Sequence, residues 1–249
     1  MPILVYILIF SFIGSVVSLI GGLALLIKEK LALSVSHLIA SFAAGALLGA
    51  AFLDLLPEAS MEGGKSGDIF LWALGGMLAF FLLERFVRWF HHHHEHLEVS
   101  KPTVSLIMVG DTIHNFIDGV AIAATFLVSV PLGMVTTFAV AAHEIPQEIG
   151  DFGILLHRGL SRKRVLIFNF VSAAAAILGA VITYFLGGLI VDVLPALLAL
   201  TAGFFIYIAA SDLIPEIHEE KRKGFAFLES LLLTGGVVAI WVSTAFLSG

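Results

Sequence analysis

At 249 residues the chain has the length of one large soluble domain or two small ones, but 59% of its residues are hydrophobic and only 13% are charged, a balance that excludes ordinary soluble folds and assigns the chain to lipid. The net charge of −6 is spread over loops and apolar runs and says little about partners. With no cysteine in the chain, neither a disulfide framework nor a thiolate metal site is available, so any metal chemistry falls to His, carboxylate and amide groups.

A helix needs roughly 20 apolar residues to cross a bilayer, and only helices or closed barrels can do so. Eight such runs follow one another: Ile3 to Ile27, Leu33 to Leu56, Ile69 to Phe90, Thr103 to Val128, Leu132 to Leu156, Val165 to Leu186, Val193 to Ile214 and Phe225 to Leu247. No segment alternates apolar and polar residues at period two, which disfavours a barrel. The first run has no basic segment before it and no small-residue cleavage site, so it is expected to be a retained helix and not a signal peptide. The expected fold is an all-α polytopic membrane protein made of a single eight-helix transmembrane domain over residues 1–249.

The 13 Lys and Arg residues are distributed unevenly over the loops. Lys28, Lys30, Arg85, Arg88, Lys101, Arg158, Arg162, Lys163, Arg164, Lys221, Arg222 and Lys223 fall on one side, and Lys65 alone falls on the other. By the positive-inside rule both termini face away from the cytoplasm, in a plasma or inner membrane.

Ala44 to Glu58, AGALLGAAFLDLLPE, aligns without gaps with Ala202 to Glu216, AGFFIYIAASDLIPE, at an offset of 158 residues. The same offset carries Ile9, Phe10, Phe12 and Gly21 of the first run onto Ile167, Phe168, Phe170 and Gly179 of the sixth. In the third pair the offset drifts by two, bringing Gly75 and Gly76 onto Gly235 and Gly236. Corresponding runs lie five apart, an odd number, so the second copy is inverted relative to the first. Runs one to three and six to eight are therefore expected to form an inverted repeat around the fourth and fifth, an arrangement typical of secondary transporters with a midplane site.

The two unpaired central runs hold the densest intramembrane polar groups. The fourth reads GDTIHNFIDGVAIA and the fifth AAHEIPQEIGDF. Ionisable groups at this depth cost several kcal/mol unless paired, hydrated or ion-bound, which makes them functional candidates. His114, Asn115 and Asp118 stand at i, i+1 and i+4, and His143, Glu144 and Gln147 repeat that spacing. Residues four apart share a helical face and the i+1 residue flanks it, so two facing helices would surround one ion, or two adjacent ions, with imidazole, carboxylate and amide. Such a donor set suits Zn, Fe, Mn and similar divalents. Pro146 cannot donate to the Ala142 carbonyl and should kink the fifth helix beside the site. A bis-imidazole haem through His114 and His143 is disfavoured by the surrounding carboxylates. Because the ligands must be deprotonated, binding should weaken in acid.

At these residues the chain resembles the ZIP family of divalent-metal transporters. His114 to Gly119, HNFIDG, and His143 to Phe152, HEIPQEIGDF, are similar to its fourth- and fifth-helix motifs, and the resemblance spans essentially the whole eight-helix domain. It implies a binuclear site, with one position formed by His114, Asp118, His143 and Gln147 and the other by Asn115, Asp118, Glu144 and Gln147. The substrate would be zinc, with Fe, Mn, Co or Cd as further cargo, moving into the cytoplasm. The resemblance also implies homodimers and movement of the helix bundle that carries the site, with no cofactor, enzymatic activity, nucleotide or nucleic acid involved. The chain departs from the closest subfamily pattern, HExPHExGD, in having Gln147 where that pattern has His. Glu148 and Asp151 match the motif but lie off the main ligand face, and they are expected to support the ligands or line the exit path. Two alternatives are an intramembrane metalloprotease and a non-transporting metal sensor. The HEIPQ sequence lacks the second His of the zincin HExxH helix, and a sensor would need a soluble output domain.

His91 to His94 and His96, HHHHEH, form a His-rich loop at 91–101 suited to collecting metal on the cytoplasmic side. Asp54 and Glu58, with Asp212 and Glu216, would guide cations at the two mouths. Glu62 to Ser66, EGGKS, is a weak echo of a phosphate loop with Ala59 where its first Gly is needed, and nucleotide binding is rejected.

Overall fold

A computed structural model describes residues 2–61, 66–92, 101–218 and 225–247. The described chain folds into helices α1 (Ile3–Val16), α2 (Leu19–Ala50), α3 (Leu56–Met61), α4 (Ser66–His92), α5 (Lys101–Val128), α6 (Val130–His157), α7 (Arg162–Ile190), α8 (Leu194–Tyr207), α9 (Ile214–His218) and α10 (Phe225–Leu247). Among the described residues, five stretches are long and apolar enough to cross a bilayer: Ile3–Leu33, Val35–Met61, Asp68–Phe86, Arg162–His218 and Phe225–Leu247. The 57-residue stretch Arg162–His218 holds both the sixth and the seventh run, divided by a single 3-10 turn at Val191–Val193. Helices α5 and α6 each have 28 residues, about 42 Å at 1.5 Å per residue. They have the length to cross but carry the ionisable groups that lower their hydropathy. His93, His94 and His96 of the His-rich run, Lys65 and the cluster Lys221 to Lys223 lie outside the described residues.

The first expected helix, Ile3 to Ile27, is divided in two. It breaks between Val16 and Leu19, where Ser15 Oγ donates to the Ser11 carbonyl and Ser18 Oγ to the Ser15 carbonyl, side-chain bonds that compete with the helical ladder and bend it. The boundary between the first two expected helices is one residue: Lys28, at φ −140° and ψ 68°, interrupts α2 without an intervening loop. The turn from α6 to α7 closes as sequence chemistry dictates. Gly159 takes φ +84°, its N–H bonds the Leu156 carbonyl at 2.9 Å, and Leu160 N–H bonds the Leu155 carbonyl at 3.2 Å, the paired bonds of a glycine-terminated helix. At the other end of α6, Ser129 Oγ accepts from Leu132 N–H at 3.2 Å and Pro131 follows it in the first turn, a helix start that needs no donor from proline. The helix then runs through Pro146 without interruption.

Two π-helical segments occupy corresponding places, Ala51–Leu55 and Ile208–Leu213. Each ends in a five-residue backbone bond, Leu56 N–H to the Ala51 carbonyl and Ile214 N–H to the Ala209 carbonyl. Pro57 and Pro215 stand one residue beyond. A proline deprives the carbonyl four residues before it of a donor, and a widened turn absorbs the mismatch.

Close helix approaches recur in the same paired manner. Gly21 of α2 lies against the Ile145 carbonyl of α6, and Gly179 of α7 lies against the Phe116 carbonyl of α5. Gly45 of α2 lies against the Leu233 carbonyl of α10, and Gly203 of α8 against the Ala73 carbonyl of α4. In each case a Cβ would collide with backbone, so only glycine permits the approach. The outcome is α5 and α6 side by side at the centre, α5 packed on α7, α6 on α2, and the pairs α2–α10 and α4–α8 beyond them.

Candidate metal centre

Helical spacing aims the site. One turn of α5 separates His114 from Asp118, and α6 presents His143 and Glu144 across from them. His114 is 9% exposed, Asp118 3%, His143 1% and Glu144 1%. One ligand atom from each of the four lies within 4.8 Å of every other. His114 Nε2 and His143 Nε2 are 3.1 Å apart, and His143 Nε2 is 3.3 Å from Asp118 Oδ2. His114 Nε2 is 3.7 Å from Asp118 Oδ2 and 3.6 Å from Glu144 Oε1, and His143 Nε2 is 3.9 Å from Glu144 Oε1. A tetrahedral ion with bonds of about 2.0–2.2 Å holds its ligand atoms about 3.3–3.6 Å apart, and the measured separations bracket that value.

The hydrogen-bond pattern favours a cation. His143 Nδ1 lies 3.1 Å from the Ala139 carbonyl, which leaves Nε2 as the nitrogen turned to the centre, the usual way a backbone carbonyl orients a metal-binding imidazole. Asp118 Oδ2 and both carboxylate oxygens of Glu144 are buried without hydrogen-bond partners. Buried acceptors without donors are costly, and here they face a common point. The ring of Phe80 meets His114 edge-on, with centroids 5.3 Å apart, and Phe205 lies 6.2 Å from the ring of His143.

Around this core stand the remaining residues of the two motifs. Asn115, fully buried, donates from Nδ2 to Asp111 Oδ1 at 3.0 Å and to the Asp111 carbonyl at 3.2 Å, and the same nitrogen is 3.4 Å from Ser172 Oγ of α7. Its Oδ1 has no partner. Gln147 lines the adjoining cavity beside His143 and Pro146. Glu148 is 1% exposed with both oxygens unpartnered. Asp151 lies further along α6 on the cavity wall. Ser172 is a contributor that spacing did not reveal, because a lone serine in an apolar helix carries no pattern and only the packing of α7 on α5 brings it to Asn115.

The cavity, about 640 Å³, runs from Asp111, His114 and His143 past His37 and Glu84 to Asp212, Ile154 and Glu216. Ile154 and Glu216 are exposed on its lining. On the opposite side of the centre, Ile122, Phe126, Leu47, Leu198 and Phe205 are all buried in one continuous core. The centre thus adjoins this cavity at one flank and packed apolar side chains at the other.

With this geometry in place, the family model for the ZIP zinc transporters matches residues 3–105 and 91–244. The zinc transporter ZIP13 of Pongo abelii is 35% identical over 223 residues, which cover 83% of this chain and 66% of that protein. The zinc transporter ZIP6 of Homo sapiens is 38% identical over 144 residues, covering 54% of this chain and 19% of that protein. A metal cation symporter ZIP14 of Xenopus tropicalis is 38% identical over 148 residues, 56% of this chain and 32% of that protein. The chain therefore spans between 19% and 66% of the length of these relatives.

Proposed function

The chain belongs to the ZIP zinc transporter family, and on that premise we propose that it carries a divalent transition metal, zinc foremost, across the membrane into the cytoplasm. The observation that supports this most directly is the convergence of two imidazole nitrogens and two carboxylates at ligand spacing, buried, with acceptor oxygens that lack donors. The protein is an integral membrane protein of helical architecture. Eight crossings, with an inverted repeat around α5 and α6, account for the paired glycine approaches and the two π segments: the offset of 158 relates Gly21 to Gly179 and Gly45 to Gly203, and the partners exchange in step.

The cavity supports the direction of release. If the basic end is cytoplasmic, as the positive-inside rule requires, the centre faces the cytoplasm in this conformation. An ion leaving His114 and His143 would pass Asp151, Glu84 and Asp212, whose carboxylates replace hydration water along the way. Asp118 and Glu144 each have two oxygens, and with Asn115 and Gln147 alongside, the centre suits two adjacent ions. Fe, Mn, Co and Cd share the ligand chemistry and are secondary cargo.

The test is influx into liposomes loaded with a metal-sensitive dye, comparing the native chain with His143→Ala and Asp118→Ala. Native influx of zinc, with both variants reduced to background, is expected. Equal influx in all three would remove the assigned centre, and no influx of any of the five metals by the native chain would overturn the transport reading.

A further inference from the structure

We propose that Asp111 is a positioning residue that orients the side-chain amide of Asn115 so that its oxygen, and not its nitrogen, meets the transported cation. The inference rests on the metal-transport reading. An amide has two ends of nearly equal shape: the oxygen coordinates a cation, while the NH2 group repels it. A ligand set containing amides therefore needs something that decides which end faces the ion. Imidazoles are oriented here by backbone, as His143 is by Ala139, and carboxylates need no orientation because both ends accept.

The structure supplies an orienting acceptor at Asp111. An ionised carboxylate can only accept, so every hydrogen bond made to it draws in a donor. The Nδ2 group of Asn115 gives one bond to Asp111 Oδ1 and another to the Asp111 carbonyl. Reversal of the amide would set its oxygen against both acceptors. Ser172 Oγ of α7 stands 3.4 Å from the same nitrogen as a further acceptor, adding a second helix to the bracket. What is left over is Asn115 Oδ1, fully buried and unpartnered, on the turn of α5 that carries His114 and Asp118. Asp111 is itself only 8% exposed, so water does not compete freely for these donors.

The experiment is zinc affinity of the purified full chain, measured by competition with a chelating dye, in a double-mutant design. Asp111→Ala is placed in the native background and in a background with Asn115→Asp, where that ligand has no wrong end. In the native background a loss of about tenfold or more in affinity is expected, the scale set by groups that orient metal ligands. In the carboxylate background the same substitution should cost less than about threefold. The visible spectrum of bound cobalt should change with Asp111→Ala only in the native background. Equal losses in both backgrounds would mean that Asp111 acts through its charge or as a ligand, and would overturn the proposal. If Asp111→Ala fails to fold, Asp111→Asn, of equal shape, carries the same comparison with the same expected background dependence. A native chain that binds no zinc would instead defeat the metal reading on which the proposal stands.

Discussion

The two copies of the D-L-[LI]-P-E segment have nearly the same sequence and the same backbone, yet different surroundings. Asp54 and Asp212 both sit in π-helical turns two residues before a Leu or Ile that precedes proline. Asp54 is 8% exposed, packed at the α2–α10 contact with Thr244 Oγ1 3.5 Å from its Oδ1 and its Oδ2 unpartnered. Asp212 lines the cavity, and Glu216 beyond it is exposed. Local sequence determines the turn, whereas the packing of the two halves determines whether its carboxylate is shut in or open. Under the proposed inverted repeat, this difference would mark one conformation of an alternating cycle, closed at the Asp54 end and open at the Asp212 end.

The largest effect expected from this contrast is in chemical accessibility. The absence of native cysteine makes single-cysteine variants clean reporters. Asp212→Cys should react with a membrane-impermeant maleimide from the basic side at least about tenfold faster than Asp54→Cys from the other side, since buried thiols are inert. Comparable rates would contradict the asymmetric conformation.

The next effect is on stability and tests the symmetry underlying the contrast. Gly45→Leu and Gly203→Leu each drive a side chain into the backbone of a partner helix. Each should cost about 1–3 kcal/mol or more, read as a similar fall in the detergent melting temperature. A strong effect at one position and none at the other would break the correspondence between α2–α10 and α8–α4. The smallest effect is at Thr244. Removing its hydroxyl with Thr244→Ala should cost about 1 kcal/mol or less and should raise the labelling rate of Asp54→Cys. Unchanged labelling would show that the Thr244 contact does not help to close that end.

Much of this was legible in the chain. The HNFID spacing put His114 and Asp118 on one helix face because residues four apart share it, whereas Glu144 joins His143 from the flanking i+1 position. The offset between Gly21 and Gly179, or Gly45 and Gly203, was visible because close backbone approach tolerates no other residue. Helix boundaries were less legible. The break near Ser18 depends on hydroxyls turning back to the backbone, and Lys28 interrupts α2 at one residue where hydropathy suggested a loop. Asp111 was evident as an intramembrane acid, but the bracket that it and Ser172 form around the Asn115 amide was not, because α7 reaches α5 only through packing.

Hydrophobic run length, side-chain spacing and internal repetition are one-dimensional quantities and can be read from the chain alone: a helical membrane protein with matched triplets of imidazole, amide and carboxylate residues on two central helices. Which face each helix offers its neighbours is a matter of packing. The folded structure adds that His114, Asp118, His143 and Glu144 converge within 4.8 Å, that Asn115 turns its amide nitrogen to Asp111, and that the cavity reaches Asp212 while Asp54 is buried. These outcomes depend on contacts between α5, α6 and α7 and between the two halves, and no local pattern encodes a distance across the bundle.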